Sequence, residues 1–241
     1  MTNSKLRIGI SSRIVNAKKY DEKRDAISHD WPQFIEKMGA NIILIPNSLT
    51  NVEDFLNDID LDGIILSGGD NIGDDKERDE TENKILNFAI TNKIPLFGVC
   101  RGMQVINKFF NGTIKKNINS SHVGNLHDIT LVNNNLIESI KIKILRVNSF
   151  HNNIITESNL GKNMQPFAIT NNDKTIEGFF GNLIEWKKLN ELIPKNFKSG
   201  KNYKKTGKAG IFAGSLELVK EGNLKIKQDN LFEDIYIKEN V

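Results

Sequence analysis

The stretch FGVCRGMQ, residues 97–104, most constrains how this chain can fold, because it places the only cysteine of 241 residues between two glycines. An apolar strand pattern runs directly into Cys100, and a helical pattern follows it. Open α/β sheets bind ligands at the carboxyl ends of their strands, and a helix N-terminus favours a thiolate. Gly98 and Gly102 leave room for a sharp turn. The pattern therefore predicts a nucleophile elbow with Cys100 at its tip.

Short apolar runs alternate with amphipathic segments through the first half of the chain. The predicted strands lie in 6–11, 41–46, 62–70 and 94–99, where 62–70 is a strand followed by a glycine turn. The predicted helices are 29–40, 51–59, 78–93 and 103–112. Such alternation predicts an α/β fold with a parallel sheet and helices on both faces. After residue 113 the pattern is looser, with strand-like segments at 127–133, 141–148, 165–170 and 174–180.

Composition excludes several classes of protein. A single cysteine excludes an internal disulfide and cysteine-based zinc clusters, which favours a reducing cytoplasm. No apolar run approaches the roughly 20 residues that span a bilayer, so no membrane association is predicted. A formal net charge of +3 is too small to argue for a nucleic-acid partner. Neither a cofactor nor a metal is predicted.

The dipeptide Gly68–Gly69 ends the strand that precedes the elbow strand in the chain. Its backbone is therefore expected to lie beside Cys100. The N–H groups of Gly69 and Arg101 would then point at one position next to the thiol. Two such donors are what an oxyanion hole requires, so we predict one here.

Five segments together resemble class I glutamine amidotransferase-like proteins, most closely the γ-glutamyl hydrolase type (peptidase family C26). They are SGGD (67–70), RDETEN (78–83), PLFGVCRGMQVINKFFNGTI (95–114), NSFH (148–151) and KTIEGF (174–179). The resemblance covers about residues 5–180 and implies a flavodoxin-like sheet and a Cys-His-Glu triad. It also implies hydrolysis of γ-glutamyl amides such as glutamine, with Cys100 as nucleophile. By the same motif match, Gly69 and Arg101 donate to the oxyanion, and Gly68, Gly69, Gln104 and His151 contact the substrate.

One expected motif is absent. The family supplies its catalytic histidine and glutamate in a late segment resembling QWHPE, yet no histidine follows His151 in this sequence. Hydrolysis is therefore predicted to be impaired, and a non-catalytic binder of γ-glutamyl ligands is the alternative. His151 is a candidate pocket, lid or base residue. His122 and His127 are pocket candidates, and His29 is predicted to be exposed.

Other charged residues have two interpretations each. Glu177 matches an acidic family position, but a solvated strand residue is the commoner interpretation. Asp70 and Asp79 suit a loop and a helix start as well as substrate contact. The guanidinium of Arg101 could bind a carboxylate or be exposed.

The last part of the chain has a different texture. EWKKLNELI (185–193) and AGIFAGSLELVKEG (209–222) are predicted helices, joined by a basic segment at 194–208 that is typical of a solvated connector. The segment 212–237 resembles the C-terminus of bacterial segregation and condensation protein A, a kleisin. That resemblance implies a winged-helix-like domain with an SMC protein as partner. We therefore predict a chimeric chain, with a truncated amidotransferase-like domain at 1–182 and a kleisin-like segment at 185–241.

Overall fold

The computed structural model describes residues 5–116 and 122–181, together with the strand segments 187–188, 224–228 and 235–239. The chain forms two compact units, Met1–Gly181 and Asn182–Val241. In the described ranges, no helix is both long and apolar enough to cross a bilayer. The first unit contains every residue of the predicted site.

The first unit begins as an alternation of strands and helices and ends in strands. Its strands are β1 (Arg7–Ser11), β2 (Arg13–Asn16), β3 (Lys23–Ala26), β4 (Asn41–Ile45), β5 (Gly63–Leu66), β6 (Leu96–Gly98), β7 (Lys115–Lys116), β8 (Val123–Leu131), β9 (Ile144–Phe150), β10 (Asn153–Ile154), β11 (Met164–Thr170) and β12 (Ile176–Gly181). Its α-helices are α1 (Asp30–Lys37), α2 (Val52–Ile59), α3 (Lys76–Asn92), α4 (Arg101–Phe109) and α5 (Asn134–Ile140). A single 3₁₀ turn covers Glu157–Asn159 among the described residues.

A parallel sheet with the strand order β4-β1-β5-β6 forms the centre of this unit. Helices α2, α3 and α4 cover one face, where Leu56, Leu86 and Val105 pack in one buried cluster with Ile64 and Leu66 of β5. Helix α1 covers the opposite face. The predicted parallel sheet with helices on both faces is confirmed, and its four strands are the four predicted ones.

A second sheet, with the order β12-β11-β8-β9, is antiparallel throughout. It is built from the four strand-like segments in the looser part of the sequence. Ile129, Leu131 and Ala168 form its buried cluster. This sheet matters for function because it carries His127 on β8 and Glu177 on β12.

The second unit contributes three described strands, β13 (Lys187–Lys188), β14 (Leu224–Gln228) and β15 (Ile235–Glu239), in the order β13-β15-β14. Strands β14 and β15 form an antiparallel hairpin. The helix predicted over 185–193 is wrong at Lys187–Lys188, where the backbone pairs with β15 and this pairing overrides a weak local preference. The predicted connector at 194–208 and helix at 209–222 lie outside the described residues.

Candidate active site

Cys100 occupies a strained backbone position between β6 and α4. Its φ is +51° and its ψ is −104°, a combination that side-chain-bearing residues rarely adopt. Such strain persists only where the surrounding packing enforces it, and it concentrates at functional sites. The structure therefore has the sharp strand-to-helix turn that the sequence predicted.

The glycines that flank Cys100 are required by close backbone approach. A β-carbon on Gly98 would lie 2.6 Å from the carbonyl carbon of Gly102. A β-carbon on Gly102 would overlap the carbonyl oxygen of Leu66, at the end of β5. Helix α4 can therefore start directly against the sheet only when both positions lack side chains.

Two backbone N–H groups converge on the thiol. Burial raises the pKa of Cys100, and hydrogen bonds from the N–H groups of Arg101 and Gly69 partly oppose this by lowering it. Gly68 lies alongside, since a β-carbon there would be 3.4 Å from the Cys100 β-carbon. The donors predicted to form an oxyanion hole are thus next to the sulfur.

Arg78 holds the orientation of the glycine turn, which is the Gly68–Gly69 dipeptide after β5. No role was predicted for Arg78 from the sequence. Its guanidinium donates to three successive carbonyl oxygens: Nη2 to Ser67 and Gly68, both at 3.1 Å, and Nη1 to Gly69 at 2.9 Å. With these carbonyls turned towards Arg78, the Gly69 N–H is free to face the thiol. The sequence does contain an indication of this role. Arg78 is a basic residue in the first turn of α3, where it opposes the helix dipole and therefore needs a specific partner.

Buried charges extend this network to helix α4. Glu82 accepts from Arg78 Nε at 3.0 Å and also pairs with the guanidinium of Arg101, and all three side chains are buried. A second carboxylate, that of Asp79, pairs with Arg101 as well. The interpretation of Arg101 as an exposed residue is wrong, because its side chain is buried and its guanidinium pairs with two carboxylates of the protein. Its backbone N–H is hydrogen-bonded to the Cys100 thiol.

Asp70 and Asp79 have structural partners in the loop after β5. Asp70 adopts a φ of +59° and lies between Arg13 and Arg78, 3.2 Å from each guanidinium. Asp79 accepts from the N–H of Gly73 at 2.8 Å. These partners support the loop and helix-start interpretation of both carboxylates.

Asn153 brings the NSFH segment to the elbow. Its carbonyl oxygen accepts from Gln104 Nε2 at 3.5 Å and lies 2.9 Å from His151 Nδ1. Its side-chain amide donates to Asn71 at 3.2 Å, in the loop that follows the glycine turn. The predicted pocket residues Gln104 and His151 are therefore joined through one residue that the sequence did not single out.

Three imidazoles surround one carboxylate beside the elbow. Glu177 Oε1 lies 3.3 Å from His122 Nδ1 and 3.4 Å from His127 Nε2, and Oε2 lies 3.4 Å from His151 Nε2. The interpretation of Glu177 as a solvated residue is wrong, since its side chain is only 14% exposed. Its negative charge also acts to raise the pKa of Cys100, so the cluster and the thiol interact electrostatically.

The histidines differ in their surroundings as candidate bases. His29 is exposed beside helix α1, as predicted. Burial alone would lower the pKa of His151, but its hydrogen bond to Glu177 and the charge of that residue raise it instead. Within residues 5–116 and 122–181, no hydrogen bond links Cys100 to a histidine.

The parallel sheet with helices on both faces is the flavodoxin-like fold of class I glutamine amidotransferases. The chain belongs to the Peptidase C26 family, which matches residues 7–186.

Known proteins with similar sequences or folds agree with this assignment. γ-Glutamyl-CDP-amidate hydrolase of Campylobacter jejuni is 30% identical over 179 residues, covering 71% of this chain and 82% of that protein. A GMP synthase-type protein of Thermoplasma acidophilum superposes with a TM-score of 0.55 at 18% identity, over 90% of this chain and 99% of that one. A glutamine amidotransferase of Thermotoga maritima gives 0.54 at 14% identity, over 90% and 85%. At these identities, the two structures support the fold alone.

Proposed function

We propose that this chain binds γ-glutamyl amides, such as glutamine or a related compound, and hydrolyses them slowly through Cys100. One observation carries the proposal: the Cys100 thiol, at a strained elbow, is contacted by the backbone N–H groups of Gly69 and Arg101. That arrangement suits attack on a carbonyl whose oxygen becomes negative. The similarity to a γ-glutamyl-CDP-amidate hydrolase supports a γ-glutamyl substrate.

The reaction would proceed in two steps. Cys100 Sγ, as thiolate, attacks the γ-carbonyl carbon, and the resulting oxyanion accepts hydrogen bonds from Gly69 and Arg101. The carbon–nitrogen bond then breaks, and the nitrogen takes up a proton as ammonia or an amine leaves. Water hydrolyses the thioester, which releases a γ-carboxylate and restores the thiol.

Slow turnover follows from the poor activation of this thiol. Burial raises the pKa of Cys100, so the thiol is mostly protonated at neutral pH. No histidine follows His151 in the sequence to act as the family's base. A positioned general base contributes about 10²–10⁴-fold to a rate. We therefore expect hydrolysis to be reduced by that order, relative to a family member that has the late histidine and is assayed on the same γ-glutamyl amide.

Glutamate release and covalent trapping test the proposal together. We expect a chloroketone analogue of glutamine to add one equivalent to Cys100, as read by intact mass. Free glutamine should protect the thiol, and Cys100→Ser should abolish both labelling and the slow release. His29→Gln, at an exposed histidine, serves as the matched control and should leave both unchanged. Labelling that glutamine does not slow would contradict a γ-glutamyl site.

A non-catalytic binder is the second candidate, favoured by the same missing base. It predicts saturable binding of glutamine, measured by calorimetry, without release of glutamate above the Cys100→Ser background. Release that depends on Cys100 rejects it.

For the second unit, the kleisin-like role stays a proposal that rests on the sequence resemblance and is compatible with the β14–β15 hairpin. Co-purification of the full chain with an SMC ATPase head tests it. Retention that is lost on deleting 224–239 supports docking, and no retention at micromolar concentrations rejects it.

A further inference from the structure

For two of the histidines next to Glu177, neighbouring acceptors determine which ring nitrogen carries the proton. Nδ1 of His151 lies 2.9 Å from the carbonyl oxygen of Asn153, which can only accept a hydrogen bond. Nε2 of His122 lies 2.8 Å from a carboxylate oxygen of Asp173, which at neutral pH also only accepts. Each of these nitrogens must therefore carry the ring proton. In the neutral imidazoles, Nδ1 of His122 and Nε2 of His151 are therefore unprotonated, and each presents a lone pair.

Both lone pairs face the same carboxylate. Nδ1 of His122 is 3.3 Å from Glu177 Oε1, and Nε2 of His151 is 3.4 Å from Glu177 Oε2. Two acceptors at these distances repel each other unless a positive charge lies between them. Within the described part of the chain, His122 Nδ1 and Glu177 Oε1 are buried and make no hydrogen bond. Each contact therefore requires a positive charge, supplied either by a second ring proton or by one metal ion that all three side chains bind.

We propose that His122, His151 and Glu177 bind one divalent transition-metal ion, with zinc as the ion that this set of donors fits best. Two imidazoles and one carboxylate are a ligand set of zinc sites that keep an open coordination position. Zinc–ligand bonds of about 2.0–2.1 Å place tetrahedral ligand atoms about 3.3–3.4 Å apart, which matches the 3.3 Å between His122 Nδ1 and Glu177 Oε1. All three ligand atoms lie within 4.8 Å of one another. The inference does not depend on hydrolysis by Cys100.

The outer contacts have the form seen around bound metals. Metal-ligating histidines donate their second ring N–H to a carboxylate or a backbone carbonyl, which fixes the ring and its tautomer. Asp173 supplies the carboxylate for His122, and Asn153 supplies the carbonyl for His151. No sequence pattern indicates this site, because its ligands come from three separated segments and no short motif joins them.

Zinc titration of the EDTA-treated, dialysed full chain against a chromophoric chelator tests the site. We expect one zinc per chain in wild type. His151→Gln and Glu177→Gln should each weaken binding by about 100-fold or more, since even outer-shell changes cost about 10–100-fold. His29→Gln and Cys100→Ser should bind as wild type does. No zinc binding in wild type, equal binding in the ligand variants, or loss of binding in Cys100→Ser would each overturn the assignment.

A measurement on wild type keeps the test valid if a ligand variant fails to fold. Long-range ¹H–¹⁵N NMR of the imidazoles should, on zinc addition, give metal-bound shifts at Nδ1 of His122 and Nε2 of His151. If ring protons alone balance the charge of Glu177, both rings will show imidazolium shifts that zinc does not change. That result would overturn the proposal without bearing on whether Cys100 hydrolyses γ-glutamyl amides.

Discussion

Arg78 Nε lies 3.0 Å from Glu82 Oε1, and both side chains are fully buried one turn apart on helix α3. The pair is useful because each partner reaches a different part of the site. Arg78 holds the carbonyls of the glycine turn, and Glu82 pairs with Arg101 at the start of helix α4. One buried ion network therefore sets the positions of both segments that donate N–H groups to Cys100.

Arg78→Met should destabilise the protein and loosen the glycine turn. Removing one partner of a buried ion pair leaves the other charge uncompensated and costs about 3–5 kcal/mol. Unfolding by urea, followed by circular dichroism, measures the loss. In the folded fraction, we also expect slower labelling of Cys100 by the chloroketone analogue, because the Gly69 N–H is no longer held towards the thiol.

Lys76→Met is the matched control for this change. Lys76 and Glu80 form an exposed ion pair on the same helix, with an Nζ–Oε1 distance of 3.5 Å. Exposed pairs at this spacing contribute only about 0.3–0.5 kcal/mol. Equal losses in the two variants would contradict a structural role for the buried network.

Gly102→Ala should damage the elbow even though alanine is the better helix former. The added methyl group would overlap the carbonyl oxygen of Leu66, and neither backbone segment can move without disturbing the sheet. Overpacking typically costs about 1–3 kcal/mol, and we expect this backbone contact to reach the upper end. Thermal unfolding measures the effect.

Gly63→Ala, on β5, is the comparison for this elbow variant. Its new methyl group would lie 3.3 Å from the flexible end of the Ile8 side chain, which can adjust. We expect a clearly smaller loss than for Gly102→Ala. If Gly63→Ala lost as much stability as Gly102→Ala, the effect would not be specific to the close backbone contact at the elbow.

The parallel sheet was predictable because its signals are local. Strands β1, β4, β5 and β6 are short apolar runs, and segments with helical periodicity separate them in the chain. Asn51 is a typical N-cap residue before helix α2, and its side chain accepts from the Asp54 N–H at 3.3 Å. The elbow was predictable for the same reason, since glycines at fixed offsets from Cys100 report a local steric need.

Periodicity misled where neighbouring elements decide burial. In helix α1 the sequence pattern groups Trp31, Phe34, Ile35 and Met38 on one apolar side, but only Ile35 is buried. Phe34 is 51% exposed and Met38 is 61% exposed. A periodic stripe states which side chains share a face, and it does not state how much of that face another element covers.

The buried charges could not be placed from sequence. Arg78, Glu82 and Arg101 look like surface residues when considered alone, since charged groups are seldom fully buried unless paired. Their pairing depends on how α3 and α4 meet beside the sheet. The cluster around Glu177 has the same origin, because its imidazoles arrive from segments far apart in the chain.

Asn107→Ala should destabilise the end of helix α4. The buried Asn107 amide donates to the carbonyl oxygens of Thr113 and Asn159 at 2.9 and 3.1 Å, and it accepts from the Gly161 N–H at 2.7 Å. Alanine would leave these backbone groups unpaired, and each unsatisfied buried group costs about 1–3 kcal/mol. We expect a total of about 3 kcal/mol or more in urea unfolding.

Asn87→Ala is the control for Asn107→Ala. It shows how much stability is lost when an exposed asparagine amide on a helix is removed. The Asn87 amide donates to the Asn83 carbonyl oxygen at 3.0 Å and is exposed to solvent, which can replace the bond. We expect a change within about 0.5 kcal/mol, as for most surface substitutions. A small effect at both asparagines would refute the bridging role of Asn107.

The reactivity of Cys100 should rise steeply only at alkaline pH. Burial raises its pKa, so the thiolate that reacts with iodoacetamide is scarce near pH 7 and increases as the pH approaches the pKa from below. We expect the midpoint of the pH profile of the alkylation rate to exceed the ordinary thiol pKa of about 8.5.

In EDTA, Glu177→Gln should move this midpoint to lower pH, because the Glu177 charge acts to raise the pKa of Cys100. Glu53→Gln, which removes an exposed carboxylate on helix α2, should leave the midpoint in place. A wild-type midpoint below 8.5 would mean that the thiol is activated after all, and rapid hydrolysis would then be expected instead of slow turnover.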